Sequence, residues 1–208
     1  MSRTNRCSRA LALLVALSAG WVSTAEATVM VEVPLDEMMA TADAVVVARV
    51  IESESRLVLD PQRGSEPHTF TTLRVSEWLV GGGNTTLTIE EIGGTLGNET
   101  TRIDGVPEFE PNDEIVLFIE QRPDGSLRTL AMAQGHFVIR RGVGQTPDSV
   151  VRDLDGIAFA HFSAGGMSVG HAHDEPAIEL TVFLDTLRGL AHTLASPTPS
   201  ASPVGGAL

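Results

Sequence analysis

Two short runs constrain this chain more than anything else in it. Ala44-Val45-Val46-Val47-Ala48-Arg49-Val50-Ile51 and Ile115-Val116-Leu117-Phe118-Ile119 are of strand length, nearly all apolar and rich in β-branched residues. Branching at Cβ restricts rotamers against a preceding helical turn, whereas it packs well on a pleated surface. Each run therefore reads as a buried central strand, and a chain with two of them must build a sheet.

The residues around these runs supply the rest of a meander. From Thr69 to Val80 the pattern alternates, with Leu73 and Val75 on one side and Thr72, Arg74 and Ser76 on the other, as in a half-buried strand. Gly81-Gly82-Gly83-Asn84 makes a turn and Thr86–Glu90 returns. Arg122–Ser126 is a tight turn, and Leu127–Ala133 and His136–Arg140 follow it. Residues 60–68, with Pro61, Gly64 and Pro67, read as a loop, and a polar, Gly-rich excursion runs from Ile92 to Pro107. Five or six strands at this spacing predict a small barrel or sandwich, residues 28–140.

Helices are expected only near the two ends. Pro34–Ala42 suits two turns, with Pro at the first helical position and Asp36 and Glu37 at the positive end of the dipole. Leu180, Phe183, Leu184, Leu187, Leu190 and Leu194 share one helical face, so residues 177–195 should pack on the barrel. Six glycines and Pro147 break residues 141–176, which are expected to be irregular, and residues 196–208 form a flexible Pro/Ser-rich tail.

The first 27 residues read as an address. Arg3, Arg6 and Arg9 precede an apolar run, Ala10–Val22, and then the small-x-small triplet Ala25-Glu26-Ala27. That order is a secretory signal peptide cleaved after Ala27, and about 13 apolar residues are too few to span ~30 Å of hydrocarbon. The mature protein is thus expected in the periplasm or the medium, without a membrane span. Cleavage would remove Cys7, the sole cysteine, and leave 11 Arg against 26 acidic residues, a net charge of −15. Nucleic acid is a poor partner for such a chain, which also lacks lysine altogether.

The strand-and-loop order also carries a resemblance. Ala42–Val50, the Val75–Gly81 strand end, and Phe109 followed by Asp113–Ile119 resemble the netrin-like module, the OB-type barrel of tissue inhibitors of metalloproteinases. The likeness covers residues 42–140. It implies an OB-type barrel; with the helices read above, the expected fold is mainly β, a small OB-like antiparallel barrel with a short N-terminal helix and a C-terminal amphipathic helix. It also implies an extracellular protein partner, with a protease as the first class to consider. Those inhibitors chelate the protease zinc through an N-terminal cysteine; the expected mature N-terminus here is Thr28-Val29-Met30, so the inhibitory residues do not carry over.

Three groups of residues could carry chemistry. Gly166-Met167-Ser168-Val169-Gly170 matches the G-x-S-x-G nucleophile elbow, with Asp185 and His192 later in the chain, but no buried strand precedes it. His161, His171 and His173, beside Asp174 and Glu175, are the densest set of possible metal ligands; adventitious zinc would suit them better than a metal-dependent reaction. Glu90, Glu91, Glu108, Glu110, Asp113 and Glu114 give mid-chain a negative field, which reads as a solvated surface. No catalytic or cofactor-binding residue is assigned. The expected function is an exported non-catalytic binding module, with a protease-binding or inhibitor-like protein as the first class to consider. The alternative is an exported hydrolase or metal-dependent enzyme using Ser168 or the His171/His173 group.

Overall fold

The computed structural model describes residues 28–60, 64–155, 157–163, 166–171 and 175–196. The expected leader and the tail beyond Ser196 lie outside the described residues. The chain is mainly β with two helices. In order it runs β1 (Thr28–Val31), α1 (Leu35–Thr41), β2 (Ala44–Asp60), β3 (Gly64–Val80) and β4 (Thr86–Ile92). There follow β5 (Gly94–Leu96), β6 (Glu99–Thr101), β7 (Glu114–Gln121), β8 (Leu127–Thr129), a 3-10 turn (Met132–Gly135) and β9 (His136–Arg140). The chain continues through β10 (Ser149–Val151), β11 (Ile157–Ser163), β12 (Gly166–His171) and β13 (Ile178–Glu179) to α2 (Leu180–Ala195).

The main sheet is antiparallel throughout, in the order β13-β10-β9-β7-β2-β3-β4, with β8 paired to β7. The two apolar runs lie side by side at its centre, Val46 opposite Leu117 and Ala48 opposite Ile115. They are apolar on both sides because both sides are covered. Val46, Ala48, Val50, Leu73, Ile89, Ile115, Leu117 and Ile119 fill the concave side of a curled sheet. Val45, Val116 and Phe118 point the other way and meet Met38 and Met39 of α1 and Phe183 and Leu187 of α2.

The curl brings β4 alongside β8, yet no ladder joins them, so the barrel is open along this seam. A side chain bridges the gap: buried Glu91 of β4 accepts a hydrogen bond from the Thr129 backbone N–H at 2.7 Å. The expected mainly β, antiparallel fold with two helices is present, and the sheet is left open along this seam. Three-residue β8 is too short to present a second edge of useful length once β7 has taken the first.

Other expectations are revised. Residues 64–68 belong to β3 rather than to a loop, paired with the far half of β2. Pro67 is tolerated because its carbonyl, and with it the position of its missing N–H, faces away from β2; that carbonyl accepts from Gly93 N at 2.7 Å. The polar excursion contains the β5–β6 hairpin. There Gly94, at φ +136°, lies so close to Ser55 and Thr69 that a Cβ would stand 2.3 Å from each hydroxyl.

The segment 141–176 is not irregular, since it holds β10, β11 and β12. Its glycines misled because Gly166 and Gly170 sit within β12, opposite Ser163 and Phe159. Strands β1, β11 and β12 form a second, three-stranded sheet, with β1 parallel to β11. It covers a small core of Ala133, Leu154, Ile157 and Phe159.

Candidate functional site

The residues singled out from the sequence do not assemble into a reaction centre. Ser168 stands opposite His161 across the β11–β12 ladder, both exposed, with no hydrogen bond between them among the described residues. The His161 ring lies over Gly170, with Nε2 3.8 Å from where a Cβ would be. Ser168 is on a strand rather than a strand-to-helix turn, so the elbow geometry is missing. Asp185 is engaged with Arg188 on α2.

His171 is placed by its backbone, paired with Ala158, and His173 and Asp174 lie outside the described residues. Glu175 is committed to Arg152, whose Nε donates to it at 2.8 Å. Among the described residues no three His, Cys, Asp or Glu side chains converge as a metal ion requires.

The mid-chain carboxylates are dispersed by the fold into different tasks. Glu90 accepts from His68 Nδ1 at 2.6 Å, and the other nitrogen of that buried imidazole faces Glu66 at 3.4 Å. Glu114 holds Arg49 and Arg141, and Glu108 pairs with Arg102 at 3.2 Å. Burial raises the Glu91 carboxyl above its ordinary value, against the lowering effect of its hydrogen bond from Thr129. Glu110 and Asp113 pair with no cation among the described residues, and both line a cleft.

That cleft contains a residue not singled out from the sequence. In β9 the alternation of His136-Phe137-Val138-Ile139-Arg140 sends Phe137 and Ile139 to the helix-covered core. His136, Val138 and Arg140 take the opposite face, where they line a cleft of about 190 Å³. Segment 102–110 forms one wall, and the Asp153-Leu154-Asp155 loop joins the lining with buried Leu154 as its anchor.

The site is held from behind by a second buried polar residue. Gln134 accepts from Val33 N at 2.9 Å and donates to the Val31 carbonyl at 3.1 Å, which ties β1 to the 3-10 turn. Its own carbonyl accepts from Arg152, which precedes Asp153. Gly135 is required here, because a Cβ would meet the Leu130 carbonyl at 2.1 Å.

His136 is 4% exposed, and neither ring nitrogen finds a hydrogen-bond partner among the described residues. Its ring packs against Phe109 at a centroid distance of 4.7 Å. Burial pushes the imidazole down to about 4, with Asp153 opposing the shift and Arg140 adding to it. It is therefore neutral at pH 7, with one N–H to donate and one lone pair to offer. Six carboxylates face it around the cleft (Asp104, Glu108, Glu110, Asp113, Asp153 and Asp155) against Arg102 and Arg140, a lining charge of −4. The signal for His136 was present in the sequence as a histidine at an even position of an alternating strand. Nothing local says that its neighbours Phe109 and Asp153 lie 27 residues before it and 17 after.

A neighbouring cleft of about 380 Å³ shares the wall 102–108 and is lined by Thr69, Glu91, Thr95, Thr100 and Phe109. Its hydroxyls are largely spent on one another: Ser55 with Thr69 at 3.0 Å, and Thr95 with Thr100 at 2.9 Å. No protein-family model, curated protein or solved structure matches the chain. Among the described residues no helix is long and apolar enough to cross a membrane.

Proposed function

We propose that this protein is an exported, non-catalytic binding module that holds a partner protein through the cleft beside His136. The observation that carries this reading is the His136 cleft: a preformed concavity with unspent polar groups and no serine, threonine or cysteine among its lining residues. Sites of this kind fix a partner group by shape and hydrogen bonding rather than by transforming it. The netrin-like resemblance supports the same reading and makes a secreted protease the partner class to test first. The missing N-terminal cysteine means that inhibition would not run through zinc chelation by that residue.

Site-specific photo-crosslinking tests the reading. A photoreactive residue at Glu110, on the cleft rim, should give a saturable adduct with one polypeptide of the secreted fraction. The same residue at Val182, on the outer side of α2, should not. Equal adducts from both positions, or hydrolytic turnover abolished by Ser168→Ala, would favour the enzyme reading instead.

A further inference from the structure

We propose that the cleft beside His136 receives the guanidinium or ammonium group of a basic side chain presented by a partner polypeptide. The inference rests on the binding-module reading and names the chemistry that the cleft selects.

Two independent features lead to it. The first is charge: the lining carries −4, and Glu110, Asp113 and Asp155 have no cationic partner among the described residues. An acidic rim alone would be a solvated surface. The second is His136, which lines the cleft almost wholly buried and whose buried Nε2 has no hydrogen-bond partner among the described residues. A buried polar group without a partner costs about 1–3 kcal/mol and calls for an occupant to satisfy it.

The chemistry of the occupant follows from what surrounds the ring. An anion is repelled by the lining. A metal ion needs three or more donor atoms converging within about 2.0–2.6 Å, and the described residues bring no such set together. A guanidinium or ammonium group makes the opposite demand, since it carries its own hydrogens and suits several separated acceptors. Carboxylates spread around 190 Å³, with a neutral imidazole lone pair at the floor, meet that demand. Ile103, Val138 and Ile157 in the lining add an apolar surface for the methylene stem.

The test uses the full mature chain at pH 7 with three small probes: the N-acetyl amides of arginine, lysine and citrulline. Citrulline keeps the shape of arginine and loses the charge. Imidazole nitrogen resonances, read by long-range proton–nitrogen correlation, report on His136 directly. The arginine and lysine probes should shift those signals saturably, and the citrulline probe should not. The double variant D153N/E110Q, at two exposed positions, should weaken the binding about tenfold. It leaves His136 in place, so a folding defect there cannot mimic the result.

The proposal is overturned if the citrulline probe binds as well as arginine, or if neither basic probe moves His136. It is equally overturned if zinc alone shifts His136 at one equivalent while the basic probes do nothing. If the Glu110 crosslink persists when the probes fail, only this ligand assignment falls and the binding-module reading stands.

Discussion

Two buried titratable side chains, His136 and Glu91, give the protein opposite responses to pH. Burial lowers His136 from 6.5 to about 4. Between these values the unfolded chain binds a proton that the folded chain refuses. Stability therefore rises with pH across that window and is complete above about 6.5, an effect of about 3 kcal/mol. His136→Gln should flatten this slope in denaturation measured from pH 4 to 7; an unchanged slope would mean that the ring is open to water. Glu91 behaves in the reverse sense. Its raised carboxyl keeps a proton in the folded state above 4.5, so its burial weakens the fold as pH rises. Glu91→Gln retains an oxygen for the Thr129 N–H and removes the charge. It should be more stable than wild type at neutral pH, with the difference vanishing below 4.5. Glu91→Ala strands that N–H and should cost about 1–3 kcal/mol.

At the scale of elements, the sheet centre is where most of the stability resides. Phe118 is wholly buried between the sheet and the helices, 5.9 Å from the Phe137 ring. Phe118→Ala should cost about 3–5 kcal/mol, whereas Val182→Ala on the exposed side of α2 should change stability by less than about 0.5 kcal/mol. Comparable losses at both would place α2 wrongly. These elements were legible in the sequence for a physical reason: burial on both faces leaves an unbroken apolar run, and burial on one face leaves a period. β2, β7, α1 and α2 each write such a pattern. β10–β12 do not, because β10 is only three residues long, β11 passes into polar His161 and Ser163, and β12 carries glycines that alternation rules treat as breaks. The cleft was illegible for another reason. His136, Glu110 and Asp153 come from three separate segments, and only the pairing of β9 with β7 and the packing of its flanking loops unite them.

For the molecule as a whole, the seam and the second sheet set how cooperatively it unfolds. β7 and the first part of β2, residues 44–50, are hydrogen-bonded on both edges and largely buried on both faces. β4 has only β3 as a ladder partner, and its approach to β8 is secured by the Glu91 side chain. The sheet of β1, β11 and β12 rests on a core of few residues, with Val29, Val31, Met167 and Val169 exposed on its strands. Opening free energy follows buried contacts, so the molecule should come apart in steps under native conditions. Hydrogen exchange in rising denaturant should show amides of Val45–Val50 and Ile115–Ile119 released only by global unfolding. Amides of β12 and β4 should open earlier, with a weaker denaturant dependence. Glu91→Ala should widen the gap for β4 and β8 beyond its effect on the centre, because it removes the bond that spans the seam. A single exchange isotherm for all these strands, unchanged in the variant, would show that the open edge is held by something other than Glu91.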